Sequence, residues 1–153
     1  MYENWLVNLA VVAATVTAVA LCVVVHYEGL LLTSRRLQHI GGQQRVKVLY
    51  GMSSMLALHI AEIWIFGLLI WALLQWPACG HVVSGSGAAP GVFGLLDSVY
   101  LSAVTYTTVG FGDVVPVGPI RFASGMEALT GFLMIGWSAS FTYLEMERFW
   151  HGR

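Results

Sequence analysis

The sequence predicts an all-α membrane protein, with three membrane-crossing helices and a fourth helix too short to cross. Three observations carry that prediction. Of its 153 residues, 58% are hydrophobic and only 10% charged, with a mean hydropathy of +0.75, which is the balance of an integral membrane protein. Apolar segments near residues 5–25, 48–76 and 120–149 each reach the length, about 20 residues, that spans a hydrocarbon core. Between the second and third lies Thr107-Thr108-Val109-Gly110-Phe111-Gly112-Asp113, irregular by composition. Such backbone at membrane depth persists only where protein buries it or where it lines a watery cavity.

The first span carries no charged residue from Trp5 to Val25. Met1-Tyr2-Glu3-Asn4 lacks the basic start of a signal peptide, and the apolar run is too long for one. Thr15 and Thr17 read as hydroxyls that bond back to the preceding turn. From His26 to Lys47 the chain turns polar, with Arg35, Arg36, His39, Arg45 and Lys47, and Gly41-Gly42 is expected to break any helix. Residues 1–47 therefore read as one helix and a basic cytoplasmic linker. That linker is either a topology determinant or a contact for anionic lipid, and Gly29-Leu30-Leu31-Leu32 could lie along the membrane surface.

The second span, Val48 to Trp76, places Trp71 and Trp76 at the far interface. His59 and Glu62 are unexpected within it, and three residues apart they share a helical face. An H-x-x-E pair invites a zinc site, but the inverted zinc motif needs a second His directly after the Glu, where Ile63 stands. Metal binding is therefore not the expectation here. A carboxylate at mid-membrane faces protein and finds a partner; Thr15, Thr17, His59, Ser102 and Thr105 are the candidates. Glu62 is either a neutral group holding helices together or a proton-sensitive element that affects gating.

Pro77 to Gly91, rich in Gly, Ser, Ala and Pro, reads as a flexible external loop. Val92 to Tyr106 forms a helix too short to cross, with Asp97 complementing the positive pole at its start. After the glycine stretch, Pro116 and Pro119 precede the third span, Ile120 to Phe149. Gly125, Gly131 and Gly136 exceed what helix propensity favours and admit close helix approach. Cys22 and Cys79 lie roughly 25 Å apart in depth at 1.5 Å per residue, too far to pair. Cys79 is then a free thiol or a link between subunits.

At Thr107 to Asp113, TTVGFGD resembles the selectivity filter of the tetrameric potassium-channel pore-domain family. Gly110 and Gly112 reach backbone angles closed to other residues, so that successive carbonyls can face one axis. The resemblance implies potassium coordination by the carbonyls of Thr108, Val109, Gly110 and Phe111, plus the Thr108 hydroxyl. It implies support from Thr107, Gly112 and Asp113, and from Tyr100, placed to donate to Asp113, while Leu101 only packs. It covers residues 48–153 as a pore domain and makes the short helix a re-entrant pore helix. In this family the inner helix bends near a glycine; Gly131 matches that place and Gly136 is the second candidate, with hinge and packing both open at Gly131. Phe111 stands where Tyr is commoner, and Val104 where some channels carry a Glu, so fewer polar groups brace the filter.

One filter segment per chain implies a homotetramer. Potassium ions are the expected filter occupants, with no organic cofactor, no nucleic-acid partner and no catalysed reaction. A filter facing outward puts the N-terminus outside and the C-terminus in the cytoplasm. Six of the seven Lys and Arg residues then lie inside and only Arg121 outside, as the positive-inside rule asks. The reading is a passive potassium channel of the plasma membrane. Its alternatives are a weakly selective cation channel and a non-conducting modulatory subunit.

Overall fold

The computed structural model describes residues 4–41, 44–84 and 93–151, the side chains of 149–151 excepted. Four helices carry the architecture: α1 (Trp5–His39), α2 (Gln44–Leu74), α3 (Leu95–Tyr106) and α4 (Ile120–His151). α1 and α2 are long and apolar enough to cross a membrane. At 32 residues α4 has the length but carries five charged side chains against three in each of α1 and α2.

The first helix corrects the expected boundary at Val25. It continues for 35 residues to His39, so His26 and Gly29-Leu30-Leu31-Leu32 are helical rather than part of a linker. Its buried residues explain the continuation. Val11, Thr15, Ala18, Cys22, His26, Leu30, Thr33 and Leu37 recur at intervals of three and four, which is one helical face. That face packs against both α2 and α4. Ile40 takes an extended conformation and Gly41 follows, so the helix ends at the expected break; Gly42 itself lies outside the described residues.

Hydroxyls on the buried stripe are satisfied locally. Thr15 Oγ1 donates to the Val11 carbonyl at 2.7 Å and Thr33 Oγ1 to that of Gly29 at 2.8 Å. Thr17 likewise donates to Ala13, as expected of hydroxyls in an apolar helix. Meanwhile Leu6, Leu9, Val16 and Val24 are exposed. Apolar groups outside and polar groups inside invert the soluble pattern and suit a lipid surround.

The segment after α2 is more ordered than its composition foretold. Pro77–Cys79 forms a 3₁₀ turn, and β1 (His81–Ser84) pairs antiparallel with β2 (Val114–Val117). The register aligns His81 with Val117 and Ser84 with Val114. β-Branched Val82, Val83, Val114, Val115 and Val117 favour extended backbone, and this ribbon ties the start of the loop to the segment after Asp113. Residues 85–92, the remainder of the expected loop and the first residue of the expected short helix, lie outside the described residues. Cys79 is 6% exposed beneath the ribbon, and burial pushes its thiol pKa up. Both cysteines are free, and a buried, protonated Cys79 is poorly placed to link subunits.

The apolar core fills the space between α1, α2, α3 and the ribbon, from Val11, Ile70, Leu73, Val82, Leu101, Val104 and Ile120. Leu101 is 2% exposed and packs, as expected. α3 lies against α2 and α4, and missing side chains permit its closest contacts. A Cβ on Gly67 would sit 2.9 Å from Val99 Cα, and one on Gly131 would sit 2.0 Å from the Tyr106 carbonyl oxygen. Close packing at Gly131 is thereby accounted for. Nothing lies within 4 Å of a Cβ built on Gly136.

The contrast yields a stability test. Gly131→Ala is expected to destabilise the protein by about 1–3 kcal/mol, the cost of overpacking against backbone. Gly136→Ala should be neutral, or stabilising by up to about 1 kcal/mol through helix propensity. Thermal unfolding in detergent measures both; equal stability of the two variants would refute the packing role.

Candidate functional site

α3 ends where the glycine stretch begins. At its start, the Gly94 backbone N–H donates to Asp97 Oδ2 at 2.8 Å, so Asp97 both caps the helix and complements its positive pole. At its end, the Thr107 N–H donates to the Ala103 carbonyl and the Gly110 N–H to that of Val104, at 3.2 and 3.0 Å. These bonds anchor the irregular segment to the helix before it.

Within the segment every second residue is left-handed: φ is 60° at Thr108, 53° at Gly110 and 74° at Gly112. Alternating handedness lets successive carbonyls face one side of the chain, whereas in a β-strand they alternate. Glycine adopts these angles freely. A β-branched threonine does not, and such strain, about 1–3 kcal/mol, persists where the surroundings enforce it for function. The glycine angles follow the sequence expectation; the strained Thr108 had no signal in it. Val109 and Phe111 are 55% and 70% exposed in the single chain.

The far end of the segment is tied back to α3. Tyr100 Oη donates to Asp113 Oδ2 at 2.7 Å, and the Val114 N–H donates to Asp113 Oδ1 at 3.1 Å. Thr107 Oγ1 donates back to the Ala103 carbonyl at 2.7 Å. Thr107, Thr108, Val109, Gly110, Phe111, Gly112 and Asp113 thus form one continuous element held by α3.

Immediately before it, Tyr106 enters a buried polar network drawn from all four helices. Glu62 of α2 is fully buried. Its Oε1 lies 2.8 Å from His26 Nδ1 of α1, and its Oε2 accepts from Tyr106 Oη of α3. His59 Nδ1 lies 3.0 Å from Tyr106 Oη and 3.4 Å from Glu62 Oε2. From α4, Ser138 Oγ lies 3.3 Å from His26 Nε2, and the Trp137 ring packs beside that imidazole, centroids 5.3 Å apart.

Of the partners expected for Glu62, His59 is present. Thr15 and Thr17 instead bond their own backbone, and Ser102 turns to the Ile63 carbonyl at 2.7 Å and to Glu127 Oε1. His26 and Tyr106 take their places. His26 escaped the sequence reading because the first span was ended one residue too soon; the three-and-four spacing through Cys22 and Leu30 was the available signal. Glu127 was overlooked too, although a carboxylate within an apolar span is itself a signal. It is fully buried, and its Oε2 has no partner among the described residues.

At the far ends of α1 and α2, Arg35, Arg36, His39, Ile40 and Tyr50 line a cavity of about 490 Å³. Nearby, Ser34 Oγ donates to Glu145 Oε1 at 2.9 Å, and Arg148 Nη1 donates to the same oxygen at 3.1 Å.

Comparison with known proteins gives this geometry its family. Residues 55–146 match the family described as "Ion channel". The chain is similar to Protein LctB of Geobacillus stearothermophilus, 39% identical over 84 residues, covering 42% of this chain and 63% of the relative. It is 36% identical over 76 residues to the inward rectifier potassium channel Kirbac3.1 of Paramagnetospirillum magnetotacticum, covering 49% of this chain and 24% of the relative. The chain thus spans less than two thirds of the length of these relatives. No solved structure matches significantly. A match over more than half of the residues, together with two apolar helices long enough to cross a bilayer, makes this chain a membrane protein of the ion channel family.

Proposed function

We propose that the protein is a homotetrameric, potassium-selective channel of the plasma membrane, conducting passively and catalysing no reaction. The observation that carries this reading is the run of alternate left-handed residues at Thr108, Gly110 and Gly112, directly beyond α3. In it the carbonyls of Thr108, Val109, Gly110 and Phe111, with the Thr108 hydroxyl, replace the water shell of a potassium ion. One chain supplies one such strand, so four copies enclose the ion. Exposed Val109, Phe111, Phe132 and Leu133 supply apolar surface for neighbours to cover.

The positive-inside distribution supports an external N-terminus and a cytoplasmic C-terminus. The cavity beside Arg35 and Arg36 then opens at the inner leaflet, where it suits an anionic lipid headgroup. Gating falls to α4, with Gly131 and Gly136 as the candidate bends, and to Glu62.

A second reading, weak selectivity, draws on one feature. Phe111 has no hydroxyl, and Val104 provides no carboxyl, so the filter's polar brace is the Tyr100–Asp113 bond. Bi-ionic reversal potentials of the protein reconstituted alone decide. Potassium and rubidium should be more permeant than sodium by at least about tenfold, a discrimination worth about 1.4 kcal/mol. Equal permeability would favour the weakly selective reading, and no flux at all would favour a modulatory subunit.

Glu62 supports a second prediction. The groups that face it are His26, with Cys22 a turn away, on α1, His59 on α2 and Tyr106 on α3; from α4, Ser138 reaches it through His26. Glu62→Gln keeps the shape but cannot ionise. The variant should assemble normally and lose the pH dependence of open probability. Superimposable pH–activity curves for parent and variant would leave Glu62 a structural group only.

A further inference from the structure

We propose that His26, His59 and Glu62 form a binding site for a divalent transition-metal ion of the zinc class. Their ligand atoms, one from each side chain, all lie within 4.8 Å of one another. The side chains of His26 and Glu62 are fully buried, and that of His59 keeps 18% of its surface exposed, leaving one side of approach. Tetrahedral zinc, with bonds of about 2.0–2.2 Å, sets its ligands roughly 3.4 Å apart. His26 Nδ1 lies 2.8 Å from Glu62 Oε1 and His59 Nδ1 3.4 Å from Glu62 Oε2, close to that spacing. Tyr106 Oη, 3.0 Å from His59 Nδ1, is a further oxygen beside the cluster.

The incomplete H-x-x-E pair of α2 is completed from another helix. Where the inverted zinc motif would put a second His at position 63, this fold brings His26 from α1. Two imidazoles and a carboxylate are a donor set for zinc and its neighbours, whereas magnesium and calcium select oxygen. The set also has outer support of the kind that metal-bound histidines require. Ser138 Oγ, 3.3 Å from His26 Nε2, holds the far side of the imidazole and keeps Nδ1 turned to Glu62 Oε1 at 2.8 Å.

Charge points the same way. The ion-pair partners of Glu62 are His26 and His59, whose charges depend on bound protons. A divalent ion compensates the carboxylate without them. An ion so placed ties α1 to α2 beside Tyr106, the residue that precedes Thr107. The site lies within one chain and does not rest on potassium selectivity.

The test uses the full-length protein without a histidine tag, purified in detergent, stripped with chelator and titrated with Zn²⁺ or Co²⁺. One ion per chain is expected, with the intense visible bands of tetrahedral Co²⁺. X-ray absorption of the zinc-loaded parent should show two imidazoles and oxygen ligands without sulfur. His26→Gln should weaken binding at least tenfold, and Ser138→Ala, which leaves every ligand in place, by about tenfold. No binding, or binding unchanged by His26→Gln, overturns the proposal. Should His26→Gln fail to fold, the parent's absorption spectrum decides alone: fewer than two imidazoles overturns the site.

Discussion

A carboxylate in the middle of a membrane-crossing helix needs compensation, and much of this structure is arranged to supply it to Glu62. Unpartnered at that depth it would cost a few kcal/mol or more. The fold answers with His26 from the first helix, Tyr106 from the third and His59 from its own helix. Ser138 of the fourth reaches it through His26. Satisfied networks of this kind rigidify a core, and half-satisfied ones are worse than apolar packing. Glu62 therefore fixes the relative positions of all four helices.

That constraint reaches the ion-channel element because of chain order. Tyr106 is both a partner of Glu62 and the last residue of α3. Its carbonyl oxygen occupies the space that a side chain on Gly131 would need. The strained turn at Thr108 begins two residues later. Below, the segment is held by the network and by α4; above, by the Tyr100–Asp113 bond and the two-stranded ribbon. The positive φ at Thr108 is strained, and fixed ends keep it from relaxing. The first helix, outside the residues matched to the ion channel family, joins this arrangement through His26.

What the sequence made legible follows from locality. TTVGFGD encodes its own backbone angles through Gly110 and Gly112, and the Tyr100–Asp113 bond spans a short helix end. Thr15 and Thr17 found their own preceding turns. What escaped was either non-local or masked by composition. The β1–β2 ribbon joins residues 30 or more apart in a segment whose glycines and serines read as loop. His26 sits where polar residues begin to accumulate, and that change looked like an exit from the membrane, although its helical face continues inward to Leu37. Glu127 was overshadowed by the glycines around it. The contact of Glu62 with His26 and Tyr106 depends on three helices meeting, which no single stretch of chain records.

We infer that Glu62 couples the first helix to the base of the Thr107–Asp113 segment. A double-mutant cycle on His26→Gln and Tyr106→Phe, read as thermal stability in detergent with chelator present, tests it most directly. These residues sit on different helices and meet through one carboxylate. The account predicts a coupling energy of about 0.5–3 kcal/mol, the range for residues in one hydrogen-bond network. Effects that add to within about 0.3–0.5 kcal/mol, as independent sites do, would contradict it.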